Sequence, residues 1–340
     1  MREESANLDM TGLNVWVICG GPSGEAEVSR TSGRGVAQAL QAGGHHVKLV
    51  EFEPRMAQLL LAEGPDVIFP VTHGTLGEDG CLQGMLEVFD VPYVGCGVLA
   101  SAIGASKPVA KAIWRSLGMP VAREFVIRRT DSLDQAAKRI RGEFGGAVVV
   151  KPASGGSSIG VERVTADAGE GRLVECLATV LSLDEEALVE PWLVGHEVTC
   201  GVLEGEHGLQ SLPPMLIVPG RAEHYDFSSK YVPGGSKHVC PAPFSKAIVD
   251  RISELALLTH RAIGGRDLSR TDFIVDEQRE PSEGVTILEI NTLPGMTPVS
   301  LFPEAAAKSG IDFKSLVDGL VRRAHSRPKR AVPVALAMPS

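Results

Sequence analysis

Two short predicted strands near the carboxyl end carry the strongest chemical pattern in the chain. Arg270 and Asp272 lie two positions apart on one strand, and Glu289 and Asn291 lie two apart on the next, so each pair faces one side. If the strands pair, the three oxygen-bearing side chains come together beside the guanidinium. Such ligands suit Mg²⁺ shared with nucleotide phosphates, although the polar face of an antiparallel hairpin would show the same spacing. The sharp turn that presents Gly295 favours a ligand site, because glycine lets a ligand approach the backbone.

A second pattern begins at Lys151, where an apolar strand predicted over residues 147–150 runs into KPASGGSSIG. An ammonium followed by glycines and serines offers a charge, backbone N–H groups and hydroxyls to a polyanion. The stretch is not a Walker A motif, because GxxxxGK[ST] is absent. A flexible hairpin tip would have the same composition, and this alternative stays open.

The amino-terminal part alternates between strand and helix patterns. An apolar strand at 13–19 runs into GGPSG and a helix over 25–42, and strands at 46–52 and 66–71 enclose a helix at 56–62. This order predicts a parallel sheet. Because GxGxxG is missing, a dinucleotide site is disfavoured. His73 follows the third strand, where open α/β sheets bind ligands, although a structural histidine is the alternative.

The remainder combines helix and strand patterns. Helices are predicted over 107–117, from a cap at Asp131 to about 144, over 245–263 and from Phe313 onward; further strands are predicted at 122–127, 187–190, 197–203 and 212–218. Pro191 cannot donate a ladder hydrogen bond, and its segment is predicted to link two domains.

Composition narrows the classes of function. The chain has 340 residues, which is enough for two or three domains, and its 44% hydrophobic and 22% charged residues are typical of globular proteins. The formal net charge of −9 argues against a nucleic-acid partner. Six cysteines without CxxC spacing indicate a reducing compartment. There is no signal-peptide pattern and no membrane-length apolar run, so we expect no membrane contact and a cytoplasmic location.

Seven stretches, taken together, resemble the D-alanine–D-alanine ligase family of the ATP-grasp superfamily. They are GGPSGEAEVS (20–29), HGTLGEDGCLQGMLE (73–87), KPASGGSSIG (151–160), VEPWLVGHE (189–197), YDFSSKY (225–231), SRTDFIVD (269–276) and LEINTLPGMTPVSLFP (288–303). They run in family order across nearly the whole chain. The resemblance implies an α/β protein in which an N-terminal doubly wound (pre-ATP-grasp) domain, residues 1–106, precedes a two-lobed ATP-grasp fold. Its central subdomain would span 107–193 and its C-terminal subdomain, with the metal and substrate site, 194–326; residues 327–340 would form a disordered tail.

The activity implied by the resemblance is ATP-dependent condensation of two D-alanines for peptidoglycan precursor synthesis. The reaction would pass through an acyl phosphate and give ADP and phosphate, with two Mg²⁺ or Mn²⁺ ions per site. D-alanine and ATP would be the small-molecule partners, and the protein would be a homodimer through its N-terminal domain.

The resemblance also implies a role for individual residues. Nucleotide and phosphate contacts fall on Lys107, Lys151, Ser158, Glu190, Leu193, Glu197 and Lys230. Amino-acid contacts fall on Glu25, His73, Lys230, Arg270, Ser300 and Leu301. The metal ligands are Asp272, Glu289 and Asn291, and the catalytic set is Glu25, Ser157, Tyr231, Arg270 and Gly295. Arg270 and the Gly295 N–H would stabilise the oxyanion, while Glu25, Ser157 and Tyr231 would close a polar loop over the site.

Three alternatives are weighed against this function. An ATP-grasp ligase that joins other amino acids in a specialised pathway would share the fold and differ in substrate profile. A nucleotide-binding regulatory protein that has lost chemistry predicts damage to at least one of four site residues, and all four are present: Arg270, Asp272, Glu289 and Asn291. A nicotinamide-dependent dehydrogenase is disfavoured by the missing GxGxxG.

Overall fold

The computed structural model describes residues 12–156, 160–205, 208–220 and 235–328. The strands within these ranges are β1 (Asn14–Cys19), β2 (His46–Glu51), β3 (Val67–Pro70), β4 (Phe125–Arg128), β5 (Val148–Pro152), β6 (Glu162–Val164), β7 (Glu186–Pro191), β8 (His196–Gly205), β9 (Gly208–Ser211), β10 (Met215–Pro219), β11 (Ser236–Val239), β12 (Leu268–Val275) and β13 (Val285–Asn291). The helices are α1 (Ala26–Ala42), α2 (Met56–Ala62), α3 (Cys81–Val88), α4 (Val98–Ala105), α5 (Lys107–Ser116), α6 (Leu133–Phe144), α7 (Glu170–Leu183), α8 (Lys246–Ala262), α9 (Pro281–Gly284), α10 (Leu301–Lys308) and α11 (Phe313–Ser326). None of these helices is both long and apolar enough to span a membrane.

The amino-terminal unit is a parallel sheet, as predicted, and its strand order is β2-β1-β3. Its central strand is buried on both faces because alternate side chains enter two different cores. Val15 and Val17 pack with α1 and α11, whereas Trp16 and Ile18 pack with α2 and α3. The carboxyl ends of β1 and β3 therefore open at one edge, where the loops containing Glu25 and His73 begin.

The central lobe is an antiparallel sheet in the order β4-β7-β5-β6, with α6 and α7 on one face. Val148 and Val150 enter the core that these helices cover, so Val149 and Lys151 project from the other face. Because successive side chains of β5 point to opposite faces of the sheet, Val148 and Val150 pack in the core of the lobe while Val149 and Lys151 face the cleft.

The C-terminal lobe has the strand order β11-β10-β8-β12-β13, with β9 on β8. Helix α8 packs on one face, beside Val198 and Phe273. On the other face, Phe302 and Val317 of α10 and α11 join the core that also contains Val15 of β1. The C-terminal helices therefore attach this lobe to the amino-terminal unit.

Helix α5 lies within the predicted central subdomain by sequence but packs elsewhere. Ala110 and Trp114 enter the core of α8, β8, β12 and β13. The domain boundaries stay a proposal, and this packing favours assigning α5 to the C-terminal lobe.

One predicted helix cap is wrong. The N-cap of α6 is Ser132, because Asp131 instead accepts a hydrogen bond from the backbone N–H of Arg128 (2.8 Å) in the preceding turn.

Candidate active site

The predicted oxygen-bearing side chains meet on the paired strands β12 and β13. In this antiparallel pair Asp272 lies opposite Glu289, and Arg270 lies opposite Asn291. Asp272 and Glu289 both line a cleft between the central and C-terminal lobes, so this is not merely the exposed polar face of a hairpin. The cleft has a volume of about 310 Å³.

Hydrogen bonds fix the Asp272 carboxylate. Thr199 Oγ1 donates to Oδ1 at 2.6 Å, and Arg270 donates through Nε and Nη2 to the two carboxylate oxygens, each at 3.1 Å. Asn291 Oδ1 accepts the Leu293 backbone N–H at 2.9 Å. The strand and the turn after it therefore hold both side chains in one orientation.

The donor set fits a hard divalent cation. Asp272, Glu289 and Asn291 supply carboxylate and amide oxygens, which Mg²⁺ prefers. Across the ranges that the structure describes, no group of three or more His, Cys, Asp and Glu residues is arranged to hold a metal. A cation bound by Asp272 and Glu289 would therefore need Asn291 and oxygens from outside the protein to complete its coordination. This is expected of a cation that is shared with phosphates.

Two lysines approach the same cleft from different elements. Lys107 begins α5, and its Nζ donates to the Gly155 carbonyl at 2.7 Å and lies 3.4 Å from Glu289 Oε2. Lys151 is the penultimate residue of β5, and its Nζ lies 2.5 Å from Glu190 Oε2. Burial lowers the pKa of the Lys151 ammonium to about 7; the charge of Glu289 opposes this shift, and the charge of Lys107 adds to it. A bound polyanion would favour the charged form of Lys151, so the two buried lysines beside Glu289 form a site for a polyanion.

The walls of the cleft suit a flat ring. Val149 of β5 and Leu216 of β10 line it from opposite lobes, together with Glu190, Leu193 and Glu197. An apolar slot with a few polar groups is the usual form of a nucleotide-base pocket. Glu190, Leu193 and Glu197, which are among the residues predicted to contact the nucleotide, thus all line the cleft.

At the amino-terminal end of the site, Glu25 and His73 are both buried. Burial lowers the pKa of His73, but the nearby Glu78 carboxylate and the charge of Glu25 outweigh it and raise the pKa; the charge of Arg270 acts against them. His73 Nδ1 lies 3.9 Å from Glu78 Oε2. Three predicted substrate residues, Glu25, His73 and Arg270, are therefore close enough to interact electrostatically.

The turn after β13 places Gly295 against Ser300. A Cβ atom at Gly295 would lie 3.1 Å from Ser300 Oγ, so the close approach favours glycine. Ser300 is the N-cap of α10, and its Oγ accepts the Thr297 N–H at 3.1 Å. Leu301 begins the helix and is buried.

Four predicted site residues lie outside the described ranges: Ser157, Ser158, Lys230 and Tyr231. The loop bridge assigned to Glu25, Ser157 and Tyr231 stays a prediction.

Sequence reasoning missed Lys111, Glu124 and Glu78. Lys111 is fully buried and contacts both Glu124 and Glu190. Lys111 lies between Ala110 and Trp114 on the buried stripe of an amphipathic helix. A lysine at such a position is unusual, because lysine side chains are seldom fully buried, and this is the signal that could have identified it. Glu78 lies within the stretch HGTLGEDGCLQGMLE, but the sequence alone does not show that its carboxylate approaches His73.

The turn after β1 is closed by an acidic side chain. Glu51 Oε1 accepts the Gly21 N–H at 3.3 Å, and a Cβ atom at Gly20 would collide with the same carboxylate. A side chain larger than glycine at position 20 would therefore displace the Glu51 carboxylate.

Comparison with known proteins gives consistent matches along the chain. A family model described as "D-ala D-ala ligase C-terminus" matches residues 113–322, and one described as "D-ala D-ala ligase N-terminus" matches residues 54–96. A protein of Chelativorans sp. (strain BNC1) named D-alanine--D-alanine ligase is 41% identical over 93% of this chain and 99% of its own.

Solved structures agree with the sequence matches. D-alanyl-alanine synthetase A from Vibrio cholerae superimposes with a TM-score of 0.80 at 26% identity, covering 94% of this chain and 100% of that one. The Bacillus anthracis D-alanine--D-alanine ligase complexed with ATP gives a TM-score of 0.75 at 27% identity, covering 92% of this chain and 97% of that one.

Proposed function

Because the chain belongs to the D-alanine–D-alanine ligase family, we propose that its cleft joins two D-alanine molecules with cleavage of ATP to ADP and phosphate, for peptidoglycan precursor synthesis. The observation that carries this proposal is the pairing of Asp272 with Glu289 beside Lys107 and Lys151, at the end of a slot that suits a purine. A site for a cation and phosphates thus adjoins a site for a base.

The nucleotide would lie between the two lobes. Val149, Leu193 and Leu216 would enclose the adenine, Glu197 would bind the ribose, and Lys107 and Lys151 would hold the phosphates. Asp272, Glu289 and Asn291 would hold two Mg²⁺ or Mn²⁺ ions, which neutralise phosphate charge during phosphoryl transfer. The buried lysines supply the same kind of neutralisation from the protein.

The first D-alanine would lie at the end containing Glu25 and His73. Its ammonium would pair with Glu25, and its carboxylate would point toward the phosphates and accept the γ-phosphoryl group. A carboxylate is a poor electrophile, so conversion to an acyl phosphate is what makes attack by an amine possible.

The second D-alanine would lie against Ser300 and Leu301 at the start of α10. Its amine attacks the acyl carbonyl, and phosphate leaves. Arg270 and the Gly295 N–H would stabilise the oxyanion of the tetrahedral intermediate. Lys230, with Ser157, Ser158 and Tyr231, is proposed to complete the site from the loops, which would exclude water from the acyl phosphate.

The proposal extends to assembly and location. We propose a homodimer formed through the amino-terminal unit, and a cytoplasmic location, where ATP is supplied. Light scattering of the purified protein and fractionation of cells that express it test these two points.

The decisive assay measures phosphate release from ATP and Mg²⁺ with D-alanine, beside L-alanine, D-serine and D-lactate, with the product identified by mass. Formation of ADP, phosphate and D-alanyl-D-alanine is the expected result. Turnover with a different amino acid alone would leave an ATP-grasp ligase and refute the peptidoglycan role.

A further inference from the structure

Lys111 is a completely buried lysine to which the proposed mechanism gives no role. It lies one turn after Lys107 on α5, so both lysines project from the same side of that helix. Its Nζ contacts Glu190 Oε1 and lies 3.0 Å from Glu124 Oε2. A buried ammonium is tolerated only when carboxylates compensate it, and here it has two.

Glu190 connects this lysine to the phosphate site. Its Oε1 contacts Lys111, while its Oε2 lies 2.5 Å from Lys151 Nζ. In the sheet Glu190 lies opposite Val149, so it projects from the same face as Lys151. The result is a continuous row of alternating charges that runs from the partly buried Glu124 through Lys111 and Glu190 to Lys151, and it ends in the cleft.

We propose that Lys111 is a positioning residue for phosphate binding. By occupying one oxygen of Glu190, it limits that carboxylate to a single contact with Lys151 and keeps the Lys151 ammonium directed at the nucleotide phosphates. This inference rests on the proposed function, because it assumes that Lys151 binds ATP.

The physical reason is competition for one ammonium. Lysine has three N–H donors on a flexible stem, and a carboxylate without another partner can take two of them. Without Lys111, Glu190 would hold Lys151 through both oxygens, and the phosphates would have to displace it. A charged hydrogen bond of this kind corresponds to about tenfold or more in affinity.

The test compares Lys111→Met with wild type, using calorimetric binding of ATP and, separately, of adenosine. Adenosine has the base and ribose but no phosphates. We expect the Kd for ATP to rise about tenfold or more and the Kd for adenosine to stay within about twofold. Equal weakening of both ligands would overturn the inference, because Lys111 would then act on the base pocket or on folding.

Two further variants keep the test valid if Lys111→Met folds poorly. The double variant Lys111→Met/Glu124→Gln removes one positive and one negative charge, and its affinity for ATP should be lower than that of wild type, as in Lys111→Met. Glu124→Gln alone leaves Lys111 to Glu190 and should bind ATP at least as well as wild type. Wild-type ATP affinity in the double variant, or weakened affinity in Glu124→Gln, would each refute the inference.

The matched control is Lys246→Met, which removes an exposed lysine whose Nζ lies 2.5 Å from Asp250. It should leave both affinities unchanged. Failure of the proposed function would appear differently, as wild-type protein that neither binds ATP nor forms D-alanyl-D-alanine.

Discussion

Replacing Arg270 by methionine should separate the two chemical steps of the proposed reaction. The guanidinium is held by Asp272 through two hydrogen bonds of 3.1 Å, and the side chain is 13% exposed. Methionine keeps most of the volume and removes the charge. Because Arg270 is assigned to the oxyanion of the second step, its loss should slow amide formation more than phosphoryl transfer.

The size of the effect follows from Coulomb's law. A cation about 4 Å from a developing oxyanion, at an effective dielectric constant of about 20, stabilises it by about 4 kcal/mol. At about 1.4 kcal/mol for each factor of ten, that is nearly 10³ in rate. Loss of one oxyanion donor typically costs about 10² to 10³, in agreement with this value.

The assay measures ADP and dipeptide in the same reaction, at saturating ATP and D-alanine. For Arg270→Met we expect dipeptide formation to fall by about 10² to 10³. ADP formation should fall less, because water attacks the acyl phosphate that no longer reacts with the amine. The ratio of ADP to dipeptide should therefore exceed one.

The matched control is Arg279→Met, which removes an exposed arginine paired with Glu283 at 2.9 Å. It should keep wild-type rates and a ratio of one. If ADP and dipeptide fall in parallel in Arg270→Met, or if the dipeptide rate falls less than about tenfold, the assignment of Arg270 to the second step is incorrect.

Three further predictions concern other parts of the molecule. Glu289→Gln should lower turnover by more than about 100-fold, because a bound cation stabilises the transition state by several kcal/mol. It should also raise the Mg²⁺ concentration needed for phosphate release. If the dependence of phosphate release on Mg²⁺ concentration is unchanged, Glu289 is not a metal ligand. Glu78→Gln should lower the pKa of His73, because the imidazolium loses the nearby carboxylate. An NMR titration of the His73 ring measures this pKa. A constant or higher pKa would show that Glu78 does not stabilise the imidazolium. Gly20→Ala should destabilise the protein by about 1–3 kcal/mol in chemical denaturation, because Gly20 has φ of 76° and a Cβ atom there would displace the Glu51 carboxylate. Gly64→Ala, where a Cβ atom would have nothing within 4 Å, should have little effect.

The sequence predicted best those elements whose side chains alternate clearly. Residues 270–276 and 285–291 have a polar face and an apolar face, which predicts both the strands and the side that carries Asp272 and Glu289. Helix α7 was not predicted, although Leu173, Leu177 and Val180 follow the helical period and all lie in the central core.

Contacts between distant elements could not be predicted, because periodicity shows which face is buried but not which neighbour covers it. Lys111 of α5 and Glu190 of β7 are 79 positions apart, and only the folded chain brings their side chains together. The packing of Trp114 against the C-terminal sheet could not be predicted for the same reason. The apolar stripe of α5 shows which face is buried, but only tertiary packing determines which lobe covers it.

The central lobe described above is arranged as an insertion. All of its fully buried core residues lie between 127 and 189, and the strands that carry the chain into and out of it, β4 and β7, are antiparallel neighbours with Phe125 opposite Val189. Its two connections to the rest of the chain therefore leave side by side. We expect residues 122–193 to fold as a separate unit, and a related lobe to be exchangeable for it through two adjacent junctions, which makes this enzyme a natural starting point for recombining nucleotide-binding lobes.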